Sequence, residues 1–376
     1  MNFKKIRNLI FTLHRYIGFS VGLLLIVIGL TGSLLVFQKE INHFLVAQQF
    51  GQITPQQTLL SPDSIVNTVK AAYASRTDLK LAALYMPSEP NASCNVELAD
   101  AQDKGTEVLV NPYTGAILGE RLWDNTLFGI IYQLHYALLA GQTGTIIVGI
   151  AALLMCILSI TGVLLWPGWR KLISGFKIKW NAHPKRVNFD LHKVVGIVVA
   201  TFVLLTFFTG FCWNFSDFST SLIRAVTFSP SKTEPVSQPI TGQSALQLTN
   251  QLQTAQAALP GAKLQTIYFP SKPESTLWMR YKFPQELGDY GNSYVYLDQY
   301  SGKVLRVDNG LEPSLGDRVL NSFTPLHYGT FGGLPTRILY VFVGLAPLIL
   351  FITGFVMWRY RKRPTTNLPT EAFAQK

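Results

Sequence analysis

Residues 13–32 read LHRYIGFSVGLLLIVIGLTG, and residues 191–210 write the same pattern again as LHKVVGIVVATFVLLTFFTG. Both stretches open on Leu-His, carry a glycine four residues after the histidine (Gly18, Gly196) and close on Thr-Gly. A second pattern spans Leu134–Trp166 and Leu326–Trp358: Leu-His-Tyr, a glycine at 141 and 333, then Ile160-Thr161-Gly162 or Ile352-Thr353-Gly354 before the closing tryptophan. Four of the six histidines thus fall in two pairs of equivalent positions, His14 with His192 and His135 with His327. The intervening segments match as well. Tyr85-Met86-Pro87-Ser88 corresponds to Tyr268-Phe269-Pro270-Ser271, and Asn111-Pro112-Tyr113-Thr114-Gly115 to Asp298-Gln299-Tyr300-Ser301-Gly302. The expectation is one duplicated unit of helix, domain and helix.

Only 14% of the chain is charged, and four uncharged apolar blocks of about 20 residues are each long enough to cross a hydrocarbon layer of ~30 Å. They lie near Tyr16–Phe37, Thr145–Trp166, Val194–Trp213 and Ile338–Trp358. Basic residues cluster before the first block, between the second and third, and after the fourth, which predicts a cytoplasmic location for both termini and the middle loop. The two long segments then face outward. On this reading the net charge of +11 is a topology signal and not a nucleic-acid footprint. The first block is too long for a cleaved signal, and no small-residue cleavage site follows it, so it reads as a retained anchor. Cys156 and Cys212 sit inside spans and Cys94 stands alone, which predicts neither a disulfide framework nor a thiolate metal site. Trp166, Trp169, Trp213 and Trp358 mark span ends as an aromatic belt.

Each outward segment begins with an amphipathic helix, expected over Ser64–Tyr73 with a cap at Ser61-Pro62-Asp63, and over Gln243–Leu259. Strands at Glu107–Val110 and Tyr294–Leu297 run into Tyr-Thr/Ser-Gly turns before further strands at Ala116–Leu118 and Lys303–Val307. Residues 229–242 read as a flexible lead-in and the chain after Pro364 as a disordered tail. The partition is 1–37 (N-terminus and first span), 38–133 (first module), 134–166 (second span with its His segment), 167–190 (basic loop), 191–213 (third span), 214–325 (second module), 326–358 (fourth span with its His segment) and 359–376 (tail).

The module ending in (Asn/Asp)-x-Tyr-(Thr/Ser)-Gly resembles a PepSY domain, and the Leu-His…Thr-Gly spans resemble the PepSY-associated transmembrane proteins over about residues 10–360. That family includes ferric-siderophore reductases of the bacterial inner membrane such as the ferrioxamine type. The resemblance implies a membrane protein with a four-helix transmembrane bundle and two periplasmic α+β PepSY-like modules, acting on a ferric siderophore.

Parallel repeats imply a pseudo-two-fold axis along the membrane normal, so equivalent residues face each other at equal depth. His14 and His192 then meet near the inner surface, His135 and His327 near the outer one. A haem iron with two axial imidazoles suits such pairs, giving two b-type haems as expected cofactors, without covalent attachment because the chain has no C-x-x-C-H. Arg15 and Lys193 follow the inner histidines and offer either propionate contacts or plain positive-inside bias. Thr31-Gly32 lies about 17 residues, roughly 25 Å, along the helix from His14 and should reach the depth of the outer pair. Thr161-Gly162 and Thr353-Gly354 should return to the inner one, as haem contacts or as ordinary helix packing. His135 and His327 precede their Thr-Gly by nine residues more than the inner histidines do, so the chain must bend within Tyr136–Gly144 and Tyr328–Thr336. His43 and His183 have no counterpart and read as structural, and Tyr113 and Tyr300 as turn residues.

Three functions compete. The first is a haem-dependent ferric-siderophore reductase that delivers Fe(II) for iron uptake. Its electrons come from quinol or a cytoplasmic reductase, since the chain has no dinucleotide fingerprint and no iron–sulfur motif. The second is a membrane-anchored PepSY module that binds or restrains a periplasmic protein. The third, metal transport, is weakened by the lack of carboxylates in the spans. Siderophore capture would fall in a groove between the modules, where Trp278, Arg280, Tyr281 and Lys282 offer donors and aromatic surface.

Overall fold

The computed structural model describes residues 3–102, 104–239, 247–286 and 288–362. The end of the 229–242 segment, the start of the helix expected over 243–259 and the tail after Pro364 lie outside them. In chain order the elements are α1 (Phe3–Leu35), α2 (Gln38–Phe50), α3 (Pro62–Ala72), β1 (Lys80–Tyr85), β2 (Cys94–Ala99), β3 (Gly105–Val110), β4 (Ile117–Leu122), α4 (Leu127–Ala137) and α5 (Gly141–Leu165). After these come α6 (Leu172–Phe176), α7 (Pro184–Asn214), α8 (Ser216–Val226) and α9 (Leu248–Ala258). The chain continues through β5 (Lys263–Tyr268), β6 (Leu277–Lys282), β7 (Ser293–Leu297), β8 (Val304–Asp308), α10 (Leu315–Tyr328) and α11 (Leu334–Lys362). Two compact units result: one of residues up to 33, 135–214 and from 338 onward, the other of residues 34–134 and 215–337.

The first unit is a bundle of α1, α5, α7 and α11, the four helices long and apolar enough to cross a membrane. Even the 25 residues of α5 exceed a hydrocarbon thickness of ~30 Å at about 1.5 Å per residue. The interior is lined by small and branched side chains, among them Ala151, Ala152, Val199 and Val203. Large apolar residues such as Leu23, Leu164 and Phe342 point outward, a surface that suits lipid and would be a liability in water. α1 and α11 meet backbone to backbone: a Cβ on Gly29 would sit 2.3 Å from the Gly344 carbonyl oxygen. Ser33 Oγ crosses the same contact, donating to Val341 O at 2.9 Å. Small residues are what allow such an approach where no hydrophobic effect drives helices together.

The second unit is built on one antiparallel sheet of order β4-β3-β2-β1-β5-β6-β7-β8. Its halves join where β1 pairs with β5 (Ala83↔Tyr268, Leu84↔Ile267, Tyr85↔Thr266), so no groove separates two independent modules as the sequence suggested. Each strand would otherwise leave an unpaired edge, and pairing removes both. Alternation in β2 and β6 sends every second residue to one face, where α3 and α9 close a shared core of Ile65, Val66, Leu84, Val96, Ile267 and Met279. Burying a side chain of that size contributes about 1.5–3 kcal/mol. α3 starts where its cap predicts, with Ser61 Oγ accepting from Ser64 N.

The repeated five-residue motif is an Asx turn. Asn111 Oδ1 accepts from the Tyr113 and Thr114 amides at 2.9 and 3.2 Å, and Asp298 Oδ1 accepts from the Tyr300 and Ser301 amides at 3.0 and 2.8 Å. Gly115 and Gly302 supply the positive φ, 74° and 68°, that ends each turn. The tyrosines anchor it, Tyr113 Oη donating to Pro90 O at 2.8 Å and Tyr300 Oη to Pro273 O at 3.1 Å.

α10 is held by charge. Asp317 pairs with Arg224 of α8 at 2.8 Å and with Lys232 at 3.1 Å. Desolvation pushes the Asp317 carboxyl up, but the Ser314 hydroxyl, Arg224 and Lys232 outweigh it and hold the group down at about 2.

A paired-histidine centre as the candidate functional site

α1 carries His14 and α7 carries His192, and the bundle brings their rings to 6.3 Å between centres with planes 84° apart. Each ring nitrogen Nδ1 faces a threonine on another helix. Thr161 Oγ of α5 lies 2.9 Å from His14 Nδ1, and Thr353 Oγ of α11 lies 2.8 Å from His192 Nδ1. Both hydroxyls donate their only proton to the carbonyl four residues back, Ile157 O and Ile349 O, each at 2.7 Å. Their oxygens are left as acceptors, so Nδ1 carries the ring proton. Nε2 of both imidazoles is therefore an available lone pair.

The glycine of each Thr-Gly pair gives the ring its space. A Cβ on Gly162 would come within 3.4 Å of His14 Cε1, and one on Gly354 within 3.6 Å of His192 Cε1. The same seat recurs on α1. Thr31 donates to Val27 O at 2.7 Å, His135 Nδ1 lies 3.1 Å from Thr31 Oγ and 2.9 Å from Ile28 O, and a Cβ on Gly32 would sit 3.0 Å from His135 Cε1. A carbonyl oxygen only accepts, so His135 too is protonated at Nδ1. Thr31-Gly32, Thr161-Gly162 and Thr353-Gly354 thus reach the depths their spacing predicts. They contact imidazoles and do more than pack helices.

A metal–imidazole bond of about 2 Å, with roughly 1 Å more to the ring centre, places two rings near 6 Å apart across one ion. The observed 6.3 Å fits a two-imidazole centre. A cavity of about 390 Å³ opens beside both histidines, walled by apolar groups including Phe19, Met155, Phe351 and Trp358, and reached by Arg7, Arg15 and Arg361. That size and lining suit an apolar cofactor with an anionic edge. Among the described residues no three His, Cys, Asp or Glu side chains converge, so an ion here would take its remaining ligands from a cofactor.

The basic residues divide differently from the sequence reading. Lys193 lines the cavity, but it donates to Asp190 Oδ1 at 2.6 Å and to Ser174 O at 2.7 Å, which uses two of its three protons. Asp190, fully buried, also accepts from Arg186 Nε and the Lys179 amide, each at 3.1 Å. Lys193 therefore ties α6 to α7, whereas Arg15 lies over the Tyr16 ring at 5.0 Å and stays at the cavity. Arg7 and Arg361, taken in sequence only as topology charges, line it too.

His135 ends α4, and after Ala137 the chain turns through Leu138, Leu139 and Gly141, all with positive φ (52°, 57° and 53°). His327 ends α10, its ring 6.0 Å from that of Tyr328, and Gly329 (φ 70°) and Gly333 (φ 66°) make the corresponding break before α11. These are the bends the spacing demands, and two non-glycine residues in left-handed geometry show that the first is held under strain. His135 and His327 belong to different compact units. His43 lies 3.7 Å from Glu89, and His183 accepts from the Lys185 amide.

Two expectations need correction. Trp166 does not belong to an aromatic belt: it is buried against Gly168 and Gly175 and edge-on to Trp169 and Phe176. Tyr281 does not share a surface with Trp278, Arg280 and Lys282, because strand alternation turns it into the core. Replacing Thr161 by valine keeps the shape but removes the acceptor that orients His14. Affinity for a group ligated by His14 should fall about 10–100-fold, measured by cofactor retention on dilution, while Ser at the same place restores it.

No curated protein matches the chain. The sequence model of the family described as PepSY-associated TM region matches residues 11–361, a stretch that holds all four paired histidines and their Thr-Gly seats. The chain belongs to the PepSY-associated transmembrane family.

Proposed function

We propose that this protein is a haem-dependent membrane oxidoreductase that passes electrons outward across the bacterial inner membrane to a ferric siderophore, yielding Fe(II). The observation that carries this reading is the His14/His192 pair, two imidazoles 6.3 Å apart with Nδ1 committed and Nε2 left as a lone pair, beside an apolar cavity. Haem b supplies one-electron iron chemistry when bound. His14 and His192 hold one such group. His135 would hold a second, and its Thr31-Gly32 seat, equal in form to the other two, supports that assignment. Arg15, Arg7 and Arg361 receive the propionates.

The chain is on this reading a duplicated unit, with its termini and basic loop cytoplasmic and the sheet unit periplasmic. The mirrored strand order about β1 and β5 and the matching Asx turns speak for the duplication. The residues position the groups and shield them with lipid-facing apolar walls. One electron converts a ferric chelate to its ferrous form, which oxygen-rich chelators hold far less tightly. Electrons enter from quinol or a cytoplasmic reductase.

Detergent-purified protein reduced with dithionite should be reoxidised anaerobically by a ferric siderophore, with Fe(II) trapped by a ferrous chelator. Reduced haem that persists with every ferric chelate, together with tight binding of a periplasmic protein to the sheet unit, would replace this reading by that of an anchored PepSY binding module.

A further inference from the structure

The sheet face turned away from α3 and α9 is not alike in its two halves. Register sets Tyr268, Trp278, Tyr296 and Arg306 side by side across β5 to β8. Tyr268 and Trp278 stack at 3.7 Å with planes 10° apart, Trp278 and Tyr296 lie 6.0 Å apart at 21°, and the Arg306 guanidinium sits 4.1 Å over Tyr296. In the adjoining row Arg280 lies 5.4 Å from the Tyr294 ring and 6.0 Å from that of Tyr290. The matching register positions on β2 to β4 hold Asn95, Leu109 and Gly119 in the first row, and Glu97 and Glu107 where Arg280 and Tyr294 stand. The β5 to β8 half is aromatic and carries Arg280, with Arg306 paired to Asp308 at 3.2 Å, whereas the β2 to β4 half carries two glutamates, one of them paired with Arg121.

The sheet core does not need this platform, since it lies on the opposite face. Nor is Arg280 neutralised. Among the described residues no carboxylate pairs with it, and its Nε is buried without a hydrogen-bond partner. Glu107, by contrast, is matched by Arg121 at 2.7 Å, and Glu97 accepts from Tyr85 Oη at 3.0 Å. A guanidinium held between ring faces with no anion of its own is a ready partner for a planar anion.

We infer that the Tyr268–Trp278–Tyr296 stack with Arg280 binds an anionic, planar aromatic ligand. Resting on the function proposed above, its chelate is a catecholate, which has aromatic rings and a net negative charge, and not a hydroxamate, which has neither.

Gallium(III) chelates test this without redox chemistry, because gallium keeps the ferric charge and size and is not reduced. In equilibrium dialysis against the full-length, haem-loaded protein, a radiolabelled gallium tricatecholate should be retained, and more weakly as salt rises. A gallium trihydroxamate should bind at least about tenfold less tightly. Arg280→Gln and Trp278→Leu should each weaken tricatecholate binding about tenfold with the haem spectrum unchanged. Equal retention of both chelates with Arg280→Gln without effect, or retention of neither, would overturn the assignment. Either result leaves reoxidation of the reduced protein by ferric chelates untouched, so the two readings fail separately.

Discussion

Alanine at position 192 is expected to cost the protein one of the two haems proposed for it. His192 lies across from His14 in a centre where each ring is oriented by its own threonine, so losing one imidazole leaves the other without a partner. Haem per protein, measured as the pyridine haemochrome, should fall by about half, or the remaining iron should turn high-spin at that site. His14→Ala should do the same. His43→Ala and His183→Ala should leave the haem content unchanged, since His43 faces Glu89 and His183 packs on Tyr360. Equal haem content in His192→Ala and the parent protein would remove the inner pair from the account.

Leucine at Gly344 is expected to abolish assembly of the bundle. A Cβ there would sit 2.2 Å from Ser33 Oγ and 2.6 Å from the Gly29 carbonyl oxygen, and backbone cannot move aside as a flexible side chain can. Overpacking of even a yielding core costs about 1–3 kcal/mol, and here α1 and α11 must separate along their length. Gly29→Leu should behave alike. Gly18→Ala is the control, because its Cβ would meet Leu158 at an ordinary 3.8 Å. Monodisperse yield in detergent checks the set, and a stable, monodisperse Gly344→Leu protein would show that the helices do not meet here.

The repeated histidine spans made four helices and the His14/His192 pair readable, because a rise of about 1.5 Å per residue turns spacing into depth. Thr-Gly was the richest signal. Counting residues from His14 to Thr31 put that Thr-Gly at the depth of the outer histidines, and three Thr-Gly seats prove to hold imidazoles. The Asn/Asp-x-Tyr-Thr/Ser-Gly motif was readable for the same reason, each residue having a local job within five positions.

What escaped the sequence depends on distant partners. β1 and β5 lie far apart in the chain, and their pairing follows from two open edges, not from any residue pattern. Lys193 read as a free cation, because Asp190 looks like any helix residue until α6, which carries Ser174, packs against α7. Tyr281 misled by composition: one place along a strand separates surface from core. Trp166 was buried by Gly168 and Gly175, whose missing side chains make room for the indole.

The most direct test of the account is electron paramagnetic resonance of the oxidised, purified protein. Were His14 and His192 to hold one haem iron with their ring planes 84° apart, two iron d orbitals would be nearly equal in energy and the ferric low-spin signal strongly anisotropic. Such a signal is expected, lost in His14→Ala and in His192→Ala and retained in His43→Ala. A protein without low-spin ferric haem, or one whose signal is the moderately anisotropic type of parallel imidazoles and survives both substitutions, would contradict it.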